Sequence, residues 1–244
     1  MRTYILLLLA CLSISNCLYS QKFKKPIDYR FKNGENGYVS FFSKNITFPF
    51  TSAENGTIGN SITRISLNPN GDINGITLIN PIDSMIDKEV QRVIELSRIL
   101  WKKCDTINHD QVFYIQIVFS LPGTQLNLCK PKTDEIMKFF PEPILITKRE
   151  PLLDTKSGDS KIHFKKSEEL SEKANSSLDE GKFEEALPFI NELIKRDPFN
   201  RDLYKIRIMI NIKLNRPELV DQDDNKIYNF AEGYSIDDLN KDQD

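Results

Sequence analysis

The chain has 244 residues, 39% of them apolar and 28% charged, the balance of an ordinary soluble globular protein. Thirty-three basic and 35 acidic side chains give a formal net charge of -2, without the basic excess that non-specific nucleic-acid binding needs to displace counterions. The same numbers exclude a polytopic membrane protein and a wholly disordered chain.

At the N-terminus, Arg2 supplies a positive charge, and Tyr4 to Leu12 is an apolar run with four consecutive leucines, Leu6 to Leu9. The run is shorter than the roughly 17–25 residues that cross a hydrocarbon core. Residues 1–20 therefore read as a signal peptide cleaved after Ser20 rather than as an uncleaved anchor. A third reading is lipid attachment at Cys17, although Ile14-Ser15-Asn16 matches a lipobox poorly. Cleavage removes Arg2, Cys11 and Cys17, leaving a net charge of -3 from 32 basic and 35 acidic side chains. Cys104 and Cys129 remain, either as one disulfide of an oxidising compartment or as two separate thiols. There is no C-x-x-C, and His109 and His163 lie far apart without ligand-like neighbours, so neither a metal site nor a cofactor is expected.

Residues 21–33 are basic and polar and read as a leader. Folded structure is expected over residues 34–125. Thr63, Ile65 and Leu67 alternate with Ile62, Arg64 and Ser66 as in a strand. Asn68-Pro69-Asn70-Gly71-Asp72 carries turn chemistry, and Ile73, Ile76, Leu78 and Ile79 form the return strand of a hairpin, with Gly75 marking a bulge. Asp83-Ser84 opens a helix whose apolar stripe is Ile86, Val90, Val93, Ile94, Ser97, Leu100 and Trp101. After a turn at Asn108 to Asp110, Phe113, Ile115, Ile117 and Phe119 alternate with Val112, Tyr114, Gln116 and Val118 in a third strand. The expected fold class is α+β, a small antiparallel sheet with a packed helix followed by an α-helical region.

Several features in order resemble the C-terminal domain of the TonB family over residues 44–119. They are Phe48-Pro49, Gly59 opening the first strand, Gly71 twelve residues on in the hairpin turn, Ile76-Thr77-Leu78, Glu89 in the helix, Trp101 at its end and the strand closing on Phe119. The chain departs from the family where Lys102-Lys103-Cys104 follow Trp101 in place of a Pro- or Gly-containing turn. The resemblance implies a periplasmic, peripheral, non-enzymatic protein whose last strand lies at the sheet edge. There it would pair with an extended peptide of an envelope or outer-membrane protein, in a role linked to transport. The implied peptide-binding residues are Tyr114, Gln116 and Val118, with Asn45 and Thr47 from an extended segment before Phe48. The alternative is that these residues only close the fold, with the edge covered by the Pro-containing segment. The family's energy transducers also carry a membrane helix and a long Pro-rich spacer. Neither is expected here, so energy coupling by this chain alone is not expected either.

Residues 126–161 contain Pro131, Pro141, Pro143 and Pro151 and read as a linker. Over residues 162–230, Leu170, Ala174 and Leu178 mark one helix face and Gly181 a turn. Ala186, Ile190 and Leu193 mark a second helix, and Asp197-Pro198 its end. Tyr204, Ile208 and Ile212 then repeat the first face and Asn215 takes the place of Gly181. The pattern resembles a tetratricopeptide repeat of about 34 residues. Its implied partner-binding face consists of Ser171, Asn175, Leu178, Lys205 and Met209; the alternative is a helical cap. Residues 231–244 form an acidic tail. No nucleotide-binding, metalloprotease or serine-hydrolase motif occurs, so no catalytic residue is expected. The expected function is a protein-binding adaptor that recognises a peptide by strand addition. The alternative is a non-catalytic envelope scaffold that binds partners through its helical repeats, and the oligomeric state is left open.

Overall fold

The computed structural model of the protein describes residues 25–122, 124, 137–148 and 166–231. The expected signal peptide, Cys129 and nearly all of the acidic tail lie outside these residues.

Three short helices open the described chain: α1 (Pro26–Arg30), α2 (Gly34–Asn45) and α3 (Phe50–Glu54). The hairpin follows as β1 (Gly59–Leu67) and β2 (Ile73–Asn80), then α4 (Ser84–Leu96), a 3-10 turn (Arg98–Leu100) and β3 (Gln111–Ser120). A short strand, β4 (Ile144–Thr147), completes a four-stranded sheet in the order β2-β1-β3-β4. β1 runs antiparallel to both of its neighbours, β2 and β3, and β4 runs parallel to β3. Four helices end the chain: α5 (Ser167–Asp179), α6 (Phe183–Arg196), α7 (Arg201–Lys213) and α8 (Pro217–Ala231). The class is mixed α+β.

Strand alternation divides the side chains between two faces. Ile65 and Leu67 of β1, with Phe113, Ile115, Ile117 and Phe119 of β3, face α4 and the N-terminal helices. Ile86, Val90, Val93 and Ile94 of α4 bury the stripe expected of that helix. Asp83 caps it by accepting from the backbone N–H groups of Met85 and Ile86, two donors with no partner inside the helix. The hairpin has two irregularities: Asn74 is skipped between the Ser66–Gly75 and Leu67–Ile73 pairs, and Ile79 between the Ile62–Asn80 and Thr63–Leu78 pairs.

The segment expected to be a leader is core from residue 27 onward. Ile27, Phe31, Tyr38 and Phe42 are buried against α4 and β3, with the Phe31 ring 4.9 Å from Trp101 in an edge-to-face contact. Arg30 is buried as well. Its guanidinium donates to the carbonyls of Asn68 (2.5 Å) and Pro69 (3.5 Å) and so ties the N-terminal helices to the hairpin turn. The residues after Trp101 pack on the same turn, with the Cys104 N–H donating to the Pro69 carbonyl at 2.9 Å. Burial lowers the pKa of Arg30.

The last four helices form two hairpins that repeat at an offset of 34 residues. Gly181 (φ 70°) and Asn215 (φ 55°) are the left-handed residues of the two turns. Gly181 N–H donates to Leu178 O and Asn215 N–H to Ile212 O; Lys182 N–H donates to Ser177 O and Arg216 N–H to Asn211 O. Each of these hydrogen bonds recurs 34 positions later. One expectation for α7 fails: Ile212 is 61% exposed, and Ile210 is buried with Tyr204 instead. Arg207 joins α7 to α8 through a paired contact with the buried Asp223 carboxylate at 2.6 and 2.7 Å.

Gly71 sits at φ +97°, and a Cβ there would stand 2.9 Å from the Trp101 carbonyl oxygen. Gly75 has an ordinary φ and room for a Cβ, 3.8 Å from the nearest atom. Gly71→Ala is therefore expected to lose about 1–3 kcal/mol in urea unfolding, with Gly75→Ala within about 0.5 kcal/mol of the parent.

Candidate functional site

The strand expected to bind a peptide is an inner strand. The β1 strand takes one edge of β3 and β4 the other, with Ile117, Val118, Phe119 and Ser120 paired to Ile144, Leu145, Ile146 and Thr147. Nearer the start of β3, the Tyr114 N–H donates to the Phe139 carbonyl at 3.0 Å. The expectation of a free edge on β3 is therefore corrected. Part of the segment read as a linker supplies the missing neighbour, as the alternative reading had it.

Tyr114, Gln116 and Val118 share one face of β3 but are buried. The Tyr114 ring stacks on Phe140 at 4.7 Å, and Phe140 meets Phe199, between α6 and α7, edge to face at 5.7 Å. Burial pushes the Tyr114 phenol pKa up. Gln116 Nε2 donates to Asn60 Oδ1 at 3.0 Å, and Asn60 Nδ2 donates to the Arg196 carbonyl at 2.6 Å. From the end of β2, Asn80 Nδ2 donates to the Asn60 carbonyl at 2.7 Å and the Lys195 carbonyl at 3.4 Å. Gly59 lets the strand approach α6 closely, since a Cβ there would lie 2.8 Å from the Lys195 carbonyl oxygen. Tyr114 and Gln116 belong to a joint between the sheet and the helical hairpins, and Val118 is buried on the same face of β3.

Asn45 and Thr47 lie elsewhere. Asn45 is the last residue of α2 rather than part of an extended segment, and its Nδ2 donates to the Phe41 carbonyl at 2.7 Å. The N–H and Oγ1 of Thr47 both donate to Glu89 Oε1, at 2.8 and 2.9 Å. Arg92 holds the same carboxylate and also donates to the Asn45 carbonyl. The Arg92 guanidinium, reinforced by Thr47, lowers the Glu89 pKa. This knot ties α2 to α4, on the sheet face opposite Tyr114, Gln116 and Val118. The five residues do not form one site.

On the helical region, Ser171 and Lys205 occupy equivalent positions of successive hairpins, as do Asn175 and Met209. Leu178 corresponds in the same way to Ile212. Asn175 and Lys205 are exposed; Ser171 is half-buried and its Oγ donates to the Ser167 carbonyl at 3.0 Å. Met209 and Ile212 are 41% and 61% exposed, so α7 carries apolar surface to solvent.

Sequence reasoning missed the other sheet edge. Among the described residues no strand pairs with the outer side of β2, an uncharged eight-residue strand reading Ile-Asn-Gly-Ile-Thr-Leu-Ile-Asn. Alternation assigns side chains to faces, not strands to neighbours, so the pattern held no signal for it. Cys104 carries a free thiol, and no group of three His, Cys, Asp or Glu side chains suited to a metal occurs among the described residues. Among the same residues, no helix is long and apolar enough to cross a membrane.

Replacing Asn60 by Ala strips a partner from Gln116 Nε2 and from the Arg196 carbonyl, each deep in the joint. A loss of about 1–3 kcal/mol is the expectation in urea unfolding, since two buried hydrogen bonds are removed together. Faster amide exchange at the C-terminal end of α6 should accompany it.

No protein-family model, no curated protein and no solved structure matches the chain.

Proposed function

We propose that this protein is a non-catalytic adaptor of the cell envelope, exported to the periplasm, that binds an extended peptide of an envelope or outer-membrane protein by strand addition. The observation that carries the reading is the outer edge of β2, which no strand covers among the described residues. Natural sheet edges are usually blunted by charge, proline or a cover, because their free N–H and C=O groups template pairing with another chain. This one has eight residues and neither charge nor proline. Among the described residues, Arg98 meets it at one end, donating to the Ile73 carbonyl at 2.8 Å. An incoming peptide would gain affinity from main-chain pairing and selectivity from side chains beside Thr77, which is exposed. The hairpin–helix–strand order supports the TonB-like reading, with strand addition moved from β3 to β2. The 34-residue recurrence of the helical turns supports the tetratricopeptide-like reading.

A second reading is a scaffold that binds through its helical repeats, favoured by the exposed Met209 and Ile212 on α7. A photo-crosslinking residue placed in the full chain at Thr77, at Leu145 or at Met209 separates the two in living cells. Adducts from position 77 are expected, with little from position 145. Adducts from position 209 alone would favour the scaffold, and a silent position 77 would defeat strand addition at β2.

A further inference from the structure

The hydrogen-bonding phase of β3 fixes that of β2. In an antiparallel ladder the N–H and C=O of one residue point to the same side, and successive residues alternate. The Tyr114 N–H donates to the Phe139 carbonyl, so the main-chain groups of Tyr114 turn away from β1. Arg64, opposite Tyr114, then turns its own groups away from β3 and toward Thr77 of β2. The hairpin end agrees: Asn68, two alternations from Arg64, donates its N–H to the Asp72 carbonyl. Pairing with β1 is unbroken from Gly75 to Leu78, so the N–H and C=O groups of Ile76 and Leu78 face the outer edge.

These two residues lie on either side of Thr77, and that placement makes the edge its own complement. With two copies of β2 laid antiparallel about a twofold axis through Thr77, Ile76 of one copy stands opposite Leu78 of the other. Both residues present outward N–H and C=O groups, so each of the two Ile76–Leu78 pairs exchanges two main-chain hydrogen bonds. The side chains of Ile76 and Leu78 share the face toward α4, where Ile76 packs on the core and both are half-buried. Each completes the cover of the other. Thr77 is exposed and meets its own copy as a close pair, an arrangement in which two threonines hydrogen-bond.

Charge on the neighbouring helix follows the same symmetry. Arg98 donates to the Ile73 carbonyl, so the chain just after α4 lies beside the start of β2, and the helix runs back along the strand. Asp87, Lys88, Gln91, Glu95 and Arg98 recur at helical spacing on that side, and all but the half-buried Asp87 are exposed. Glu95 and Arg98 are also paired with each other. A twofold axis reverses the order of these residues in the second copy. It brings Asp87 toward Arg98 and Lys88 toward Glu95 across the interface, so acid meets base in both pairs.

We propose that a second copy of this chain occupies the β2 edge, the two strands pairing antiparallel through Thr77 to join both sheets into one of eight strands. The inference rests on the reading of β2 as a strand-adding edge and names its resting occupant. Self-pairing closes the edge, so a peptide of another protein gains it only by displacing the second copy. By mass action, the share of open edges falls as the chain is concentrated.

The test uses the full chain. In sedimentation equilibrium across a micromolar concentration series, the mass is expected to rise from that of one 28.2 kDa chain toward twice that value. Register is tested with single cysteines in a chain whose four native cysteines are replaced by serine. Thr77→Cys sets two thiols directly opposite each other, within disulfide reach. Asn74→Cys, at another exposed position of β2, holds them ~20 Å apart, six residues of extended strand. In a glutathione redox buffer, Thr77→Cys is expected to crosslink at least about tenfold faster than Asn74→Cys. A single-chain mass at every concentration would overturn the proposal, as would equal crosslinking at 74 and 77 or a dimer that crosslinks at neither. A chain that stays single while position 77 still captures another envelope protein would overturn self-pairing alone and leave strand addition standing. Position 77 silent toward both would overturn the two together.

Discussion

The last carbonyls of a helix have no partner within it, and burying them requires donors from elsewhere. At the C-terminal end of α6 those donors are the side-chain amides of Asn60 and Asn80, on the two strands of the hairpin. Asn60 also accepts from Gln116, so one amide joins two strands to one helix end. Much of the architecture follows from this junction. It brings Phe199 against Phe140 and Tyr114, closes the second face of the sheet, and makes β3 a strand buried on both sides. The helical hairpins are thereby a layer of the fold, and the sheet is sandwiched between them and α4.

With β3 enclosed, surfaces for other molecules lie at the periphery. The β2 edge and the α7 face with Met209 and Ile212 are exposed there, and they differ in chemistry. The first offers main-chain groups and the second apolar side chains. The joint at Asn60 connects the sheet that carries the β2 edge to the helical hairpins that carry the α7 face.

Much of this was legible in the sequence wherever a strong period met a clear boundary. The α4 stripe from Ile86 to Ile94 with Asp83 ahead of it, the hairpin turn at Asn68 to Asp72, and the repetition of Gly181 in Asn215 were all of that kind. The N-terminal helices were not, because Asn33, Gly34 and Gly37 weaken helix propensity there. What orders that segment is long-range burial of Phe31, Tyr38 and Phe42 and the clamp of Arg30 on the turn. The β4 strand is four residues long and follows Pro143; only pairing with β3 makes it a strand. One signal was present and unused: both faces of β3 are largely apolar, the mark of a strand covered on two sides. In α7 the isoleucines at 206, 208, 210 and 212 follow no clean helical stripe, and Ile212 accordingly faces solvent. The candidate site was the least legible part, since it depends on which strand lies at the edge.

The central claim is that sheet and helical hairpins form one body, locked at Asn60. It is tested most directly by urea unfolding of the full chain, followed by two signals at once. Trp101, the single tryptophan, reports the sheet and its N-terminal helices, and far-UV ellipticity is weighted toward the helical hairpins. One cooperative body requires the two transitions to coincide. Loss of helical signal at a clearly lower urea concentration than the Trp101 change would mean that the hairpins are an independent unit, and the joint would not bind the fold together.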